Sequence, residues 1–271
     1  MKIFGRCIWF LVLTVVTQVG GIIYLFNIGI HRYVWKPKKS KWLKRQFSFI
    51  VMYVSICLMV VPPVARLNDR QPLPWFKVTT LQPQNWFTIV CNRHYVHTAL
   101  YPLITQVADD FNATSEYNEA SLTINYLDAN FPFIDGFPLI PHLSHNDGKK
   151  LDLAFRYQSI STPLAVNQTK SLLGYGVYVE PASGELNQTT ACKKNRWQYD
   201  ITKYIGFPIN DGLIYDEDQT KRLMTLLVAA NTEKIFIEPH LKTRMGIQSD
   251  KVRFHGCHAV RHDDHIHIQV Q

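Results

Sequence analysis

The polar and apolar positions at the end of the chain alternate strictly. In His265-Ile266-His267-Ile268-Gln269-Val270 the polar side chains fall on one face and the β-branched ones on the other, the period of a half-buried strand. Residues 151–155, Leu-Asp-Leu-Ala-Phe, read as a buried strand that follows the turn signal Asn146-Asp147-Gly148. Alternation over 121–127 and the apolar run in 234–238 predict two further strands, and 86–90 a short one. Helical spacing predicts a helix over 97–111, from Leu100, Leu103, Ile104, Val107 and Phe111. A clearer helix is predicted over 216–230, from Leu223, Leu226, Leu227 and Ala230, with Asp216 or Asp218 as N-cap. Residues 112–119 read as loop, and 157–192 as a Gly-containing insertion shaping a cleft. This order predicts an α+β fold, an antiparallel sheet with flanking helices.

The N-terminal quarter has a different pattern. Residues 7–30 and 47–65 carry no charge and predict a two-helix transmembrane hairpin. The loop 31–46 between them holds seven Lys/Arg and no acid, which places it in the cytoplasm and the C-terminal domain outside. The expected organisation is therefore a membrane anchor over 1–65, a linker and the start of the exported domain over 66–120, and the core over 121–271. Pro-rich 62–83 belongs to that linker. Net charge is +8, and residues 1–64 hold nine Lys/Arg and no acid. Subtracting those nine leaves −1 for the rest of the chain, so the basicity belongs to the anchor and a nucleic-acid role is disfavoured.

Five of the eleven histidines lie between His255 and His267. Paired imidazoles on a rigid strand suit a divalent metal, one as ligand and one to move a proton. Upstream, His145 and Asp152 form an H-x6-D pair that ends inside the 151–155 strand. An aspartate there is costly unless paired or metal-bound. With His267 they make a His2Asp set, whose fourth position is left for water as in a catalytic zinc. The Gly174-Tyr175-Gly176 segment lacks a βαβ context and carries no nucleotide signal.

The stretch Pro141-His142-Leu143-Ser144-His145-Asn146-Asp147-Gly148-Lys149-Lys150-Leu151-Asp152, with His262-Asp263-Asp264-His265-Ile266-His267 far downstream, resembles the penicillin-insensitive murein endopeptidases. These belong to the wider group of lysostaphin-type enzymes, D-Ala-D-Ala metallopeptidases and the hedgehog signalling domain. The similarity runs from about Leu122 to the C-terminus and is dense only at the two motifs. It implies a zinc peptidase with metal ligands His145, Asp152 and His267. His265 and His262 would be the proton-handling histidines, and His142 a further active-site histidine that orients an oxyanion or supports a ligand. The implied substrate is the peptide of peptidoglycan, and the implied location a bacterial inner membrane with the domain in the periplasm. Two departures, the Phe131–Pro138 approach in place of a Gly-rich one and Lys149-Lys150, bear on substrate recognition more than on metal binding.

In the implied reaction zinc activates water, neutral His265 takes its proton and passes it to the leaving amine, and His262 is equally placed to do so. Asp264 is a weaker candidate, and His240, His255 and His258 are read as structural or surface residues. Cys7 and Cys57 fall in the apolar runs, whereas Cys91, Cys192 and Cys257 permit at most one disulfide in an exported domain. The sequons at Asn112, Asn167 and Asn187 are chance matches in a bacterial reading. The rival class is a non-catalytic zinc-containing binding or signalling module at the cell envelope.

Overall fold

The computed structural model describes residues 2–33, 42–77, 79–114 and 121–271. Its helices are α1 (Lys2–Thr17), α2 (Gly20–Tyr33), α3 (Trp42–Met59), α4 (Val61–Arg66), α5 (Trp86–Val90), α6 (Leu100–Ala113), α7 (Gln188–Asn195), α8 (Glu217–Ala229) and α9 (Pro239–Arg244). Its strands are β1 (Arg70–Pro72), β2 (Leu81–Pro83), β3 (Tyr95–His97), β4 (Ile124–Tyr126), β5 (Lys150–Ala154), β6 (Tyr157–Ser159), β7 (Ala165–Val166), β8 (Leu213–Tyr215), β9 (Lys234–Phe236), β10 (Val252–Arg253) and β11 (His265–Gln269).

The main sheet has the order β10-β9-β11-β5-β4-β2. Its inner pairs are antiparallel, but β10 with β9 and β2 with β4 run parallel. The sheet is therefore mixed rather than antiparallel. The alternation of β11 explains its central place: Ile266 and Ile268 are fully buried with Leu151, Leu153 and Ile235 on one face. Leu100, Ile104, Val107 and Phe111 of α6 join the same core, as do Leu223 and Leu227 of α8. Pro102 sits in the first turn of α6, where its missing N–H costs nothing. The Asp216 side chain caps α8 by accepting from the Gln219 N–H at 3.0 Å.

The transmembrane hairpin is not present. Among the described residues no helix is long and apolar enough to cross a membrane. The uncharged run 7–30 is broken at Gln18, whose φ is +64°, into helices of 16 and 14 residues that pack back on each other. The close approach needs glycine, since a Cβ on Gly21 would lie 1.9 Å from Thr14 Oγ1. The second run starts inside α3, which takes in Lys44 and Arg45, and breaks before Pro62-Pro63 to give α4. Of the basic loop, residues 34–41 lie outside the described residues, as do 115–120 of the loop expected over 112–119.

Two local expectations are also corrected. Residues 86–90 form α5 rather than a strand, because the Asn85 side chain accepts from the Thr88 N–H at 3.3 Å and caps a helical turn. Residues 62–83 are not a draped linker: they form α4, β1 and β2, and Leu73 and Leu81 enter the core. The sequon asparagines have structural partners. Asn167 accepts from Thr123 N at 2.8 Å, Asn187 caps α7 through Thr190 N at 3.0 Å, and Asn112 donates to the Leu122 carbonyl at 2.9 Å.

His94 is buried beside the Trp75 and Tyr95 rings, and burial pushes its pKa down to about 3. The unfolded chain therefore binds a proton below about pH 6.5 that the folded chain refuses, and stability falls as pH drops through that window. At pH 5 the loss from this residue is about 2 kcal/mol. His94→Phe should remove that part of the acid sensitivity in denaturant titrations at pH 7 and pH 5. An unchanged difference between the two would contradict it.

Candidate metal centre

β11 and β5 pair with His267 directly opposite Asp152 and His265 opposite Ala154. Opposed residues share a face, so the polar face of β11 meets the single carboxylate of β5. The loop after β4 brings His145 onto the same point. Its Nδ1 lies 2.7 Å from the Ala129 carbonyl, which can only accept, so Nδ1 carries the proton and Nε2 presents a lone pair. His145 Nε2 is 3.0 Å from His267 Nδ1 and 3.1 Å from Asp152 Oδ1, and the latter two are 2.9 Å apart. Donors around a tetrahedral zinc with bonds of about 2.0–2.1 Å lie about 3.3 Å apart. The triangle matches that to within a few tenths of an ångström, and all three residues are buried.

A second grouping, His142, Asp152 and His265, shares the aspartate. It is looser, with Asp152 Oδ2 3.6 Å from His142 Nδ1 and 3.7 Å from His265 Nε2. His142 Nδ1 is also engaged by Asp128 Oδ2 at 3.0 Å, and Asp152 Oδ2 accepts from the Tyr175 hydroxyl at 2.8 Å. The His145, Asp152 and His267 set is therefore the better-formed cation site. The ring atoms His142 Nε2, His265 Nε2 and His267 Nε2 are buried with no hydrogen-bond partner among the described residues. None of these three is a donor atom of the triangle, whose fit to a divalent metal rests on its chemistry, two imidazoles with a carboxylate.

The electrostatics follow from this crowding. Burial alone would raise the Asp152 carboxyl, but His145, His265 and His142 outweigh it and hold it well below the usual carboxylate range. Burial pushes His267 down to about 3 despite Asp152. Burial also depresses His262 well below its ordinary value, with His265, His267 and His255 adding to the effect. His265 is the exception. Burial opposes its charge, yet Asp152 and Asp264 raise it to about 9. Its Nδ1 is hydrogen-bonded to Asp264 Oδ1, and the two carboxylates favour the imidazolium.

All six residues singled out from the sequence come together. The His262 ring centre lies 4.9 Å from that of His265 and 5.5 Å from that of His267. His142 lies 5.6 Å from both His145 and His265. Asp128, Arg93 and Tyr175 were not anticipated, and they are joined by Asp264, a weaker proton-handling candidate, and His255, read as structural or surface. Asp128 joins His142 to Arg93, whose Nη2 donates to Asp128 Oδ2 at 2.9 Å and to the Ile140 carbonyl at 2.7 Å. Tyr175 accepts from the Asp128 N–H at 3.0 Å while donating to Asp152. Asp264 Oδ2 accepts from the Gly176 N–H at 2.6 Å. His255 faces the site, its ring centre 5.4 Å from that of His262.

The sequence signal for Tyr175 was the glycine on either side of it. Gly174 and Gly176 have φ of +84° and +82°, and a Cβ on Gly176 would lie 2.2 Å from the Thr202 carbonyl oxygen. His240 is fully buried, its Nε2 2.7 Å from the Val179 carbonyl oxygen, whereas His258 is exposed. A cleft of about 540 Å³ opens onto His262 and His267, with Ile140, Leu143, Trp197 and Val260 on its walls. No family model matches the chain, and no curated protein matches it.

Tyr175→Phe leaves the ring and removes both hydroxyl bonds. It should lower divalent-metal affinity by about 10- to 100-fold, the usual cost of losing a group that orients a ligand. A competition titration against a coloured chelator reads this directly, and an unchanged affinity would show that Tyr175 does not position Asp152.

Proposed function

We propose that the chain is a zinc peptidase of the bacterial cell envelope, related to the penicillin-insensitive murein endopeptidases, which hydrolyses a D-amino-acid-containing peptide bond of peptidoglycan. The observation that carries the metal half is the triangle of His145 Nε2, Asp152 Oδ1 and His267 Nδ1 with sides of 2.9–3.1 Å. The substrate half rests on the resemblance of the two motifs. An extracytoplasmic domain is supported by the Cys192–Cys257 disulfide, since such bonds persist in oxidising compartments.

Zinc held by these ligands would bring the pKa of a bound water to about 7 and polarise a carbonyl. The chain's own groups then divide the work. His262 lines the cleft beside the ligands and is placed to accept a proton from the attacking water. His265, oriented by Asp264, has its ring centre 4.9 Å from that of His262 and is placed to stabilise the negative oxygen or protonate the leaving amine. His142, fixed by Asp128, holds the far side of Asp152.

Incubated with purified peptidoglycan, the protein should cut the peptide bridges, so that a later muramidase digest yields fewer cross-linked muropeptides. Chelation should abolish this and zinc should restore it, and His145→Ala should lose both metal and turnover. Unchanged activity in His145→Ala would overturn the assignment. His262→Ala should keep its zinc while kcat falls by about 100- to 10,000-fold. Retained turnover in that variant, with zinc still essential, would move the proton transfer to another residue.

A further inference from the structure

The cleft over the metal centre has two kinds of lining. One part is imidazole: His262, the metal-side His267, and His255, whose ring lies 6.0 Å from that of His267 with the planes 29° apart. The rest is largely apolar. Ile140, Pro141 and Leu143 come from the segment that runs on into His145. Trp197 and Ile201 come from the segment after α7, and Val260 from the loop before β11. Ser144 and Gln198 add uncharged polar groups.

Among the described lining residues none is Asp, Glu, Lys or Arg. Arg196, beside Trp197 in the chain, commits its Nη2 to His258 Nε2 at 3.3 Å. A charged side chain entering this cleft would lose water and find no counter-charge in the lining, which is costly. An apolar one gains. Ile140 and Leu143 are exposed and Trp197 is 78% exposed, so these three have apolar surface to bury against a ligand. Two of the walls are also tied together. Cys192 lies in α7 and Cys257 between His255 and His258, so their disulfide joins the segment leading to Trp197 to the loop leading to Val260. A wall fixed in advance lowers the cost of ordering it on binding.

We propose that this cleft is a specificity subsite, which takes the uncharged, apolar side chain of a residue flanking the scissile bond, with Trp197 packing against it. The assignment rests on the peptidase reading of the metal centre. His267 is both a metal-side donor and part of the lining, so the residue held here adjoins the reacting carbonyl. A bond flanked on this side by alanine fits the cleft. One flanked by a residue with a charged side chain does not, and this narrows the peptide bonds of peptidoglycan that the centre can cut.

The test uses the zinc-loaded protein and N-acetylated D-Ala-D-Ala amides in which either alanine is replaced by D-norleucine, D-lysine or D-glutamate. At one of the two positions norleucine should be preferred over both charged residues by about 10- to 100-fold in kcat/KM, the scale set by burying an apolar chain of that size. Trp197→Ala should narrow that preference, with zinc content measured as the control. Calorimetric titration of the same peptides separates this assignment from the peptidase reading. If no peptide is cleaved, binding with the same preference, lost in Trp197→Ala, would uphold the subsite while the peptidase reading fails. Equal cleavage of charged and apolar peptides at both positions would overturn the subsite and leave the peptidase reading standing. Equal binding without cleavage, or no binding by any peptide, would overturn the subsite as well.

Discussion

Asp152 is a fully buried carboxylate in the middle of a strand, with apolar neighbours on both sides in sequence. An ionised group in that position is tolerated only where its surroundings compensate it. Here the compensation is divided between its two oxygens. Oδ2 takes the Tyr175 hydroxyl, and Oδ1 faces His145 Nε2 and His267 Nδ1. Because the His145 proton is committed to the Ala129 carbonyl, at least two lone pairs meet at one point. A proton on His267 Nδ1 satisfies one of the facing atoms, whereas a divalent cation satisfies all three.

The rest of the domain follows from holding that point still. The β11–β5 register fixes His267 against Asp152, and the opposite faces of both strands are locked into the core by Ile266, Ile268, Leu151 and Leu153. The third donor comes from a loop, and loops need support. Arg93 supplies it by tying Asp128 and the Ile140 carbonyl together. The insertion contributes from the other side. Gly176 bonds Asp264, and Val179 N donates to the Asp263 carbonyl at 2.7 Å. Arg261 is held by Asp263 and by Glu180 at 3.0–3.1 Å. The strand carrying the metal-side histidines is thus clamped by a segment more than eighty residues earlier.

How much of this the sequence disclosed depended on the range of the interaction. Period-2 alternation in 265–270 and a carboxylate inside 151–155 are local signals, and both were legible because a core on one face imposes them. The α8 cap was legible as Asp216 or Asp218, a local signal too, and the structure selects Asp216. Asp128 and Arg93 were not legible, since their roles exist only once distant segments meet and no spacing encodes that, and Tyr175 showed only as a residue between two glycines. The 7–30 run misled because hydropathy counts residues but does not see a break. Gln18 in a left-handed conformation, with Gly20 and Gly21 beside it, turns one apparent span into two shorter helices. Residues 86–90 misled in a similar way, the cap at Asn85 outweighing the strand preference of Trp-Phe-Thr-Ile-Val.

The most direct test of the centre is an anomalous-scattering map at the zinc edge from crystals of the zinc-loaded protein. A single strong peak should lie within about 2.0–2.1 Å of His145 Nε2, Asp152 Oδ1 and His267 Nδ1. Absence of a peak there, or a peak held instead by His142 and His265, would contradict the assignment of these three residues as the metal ligands.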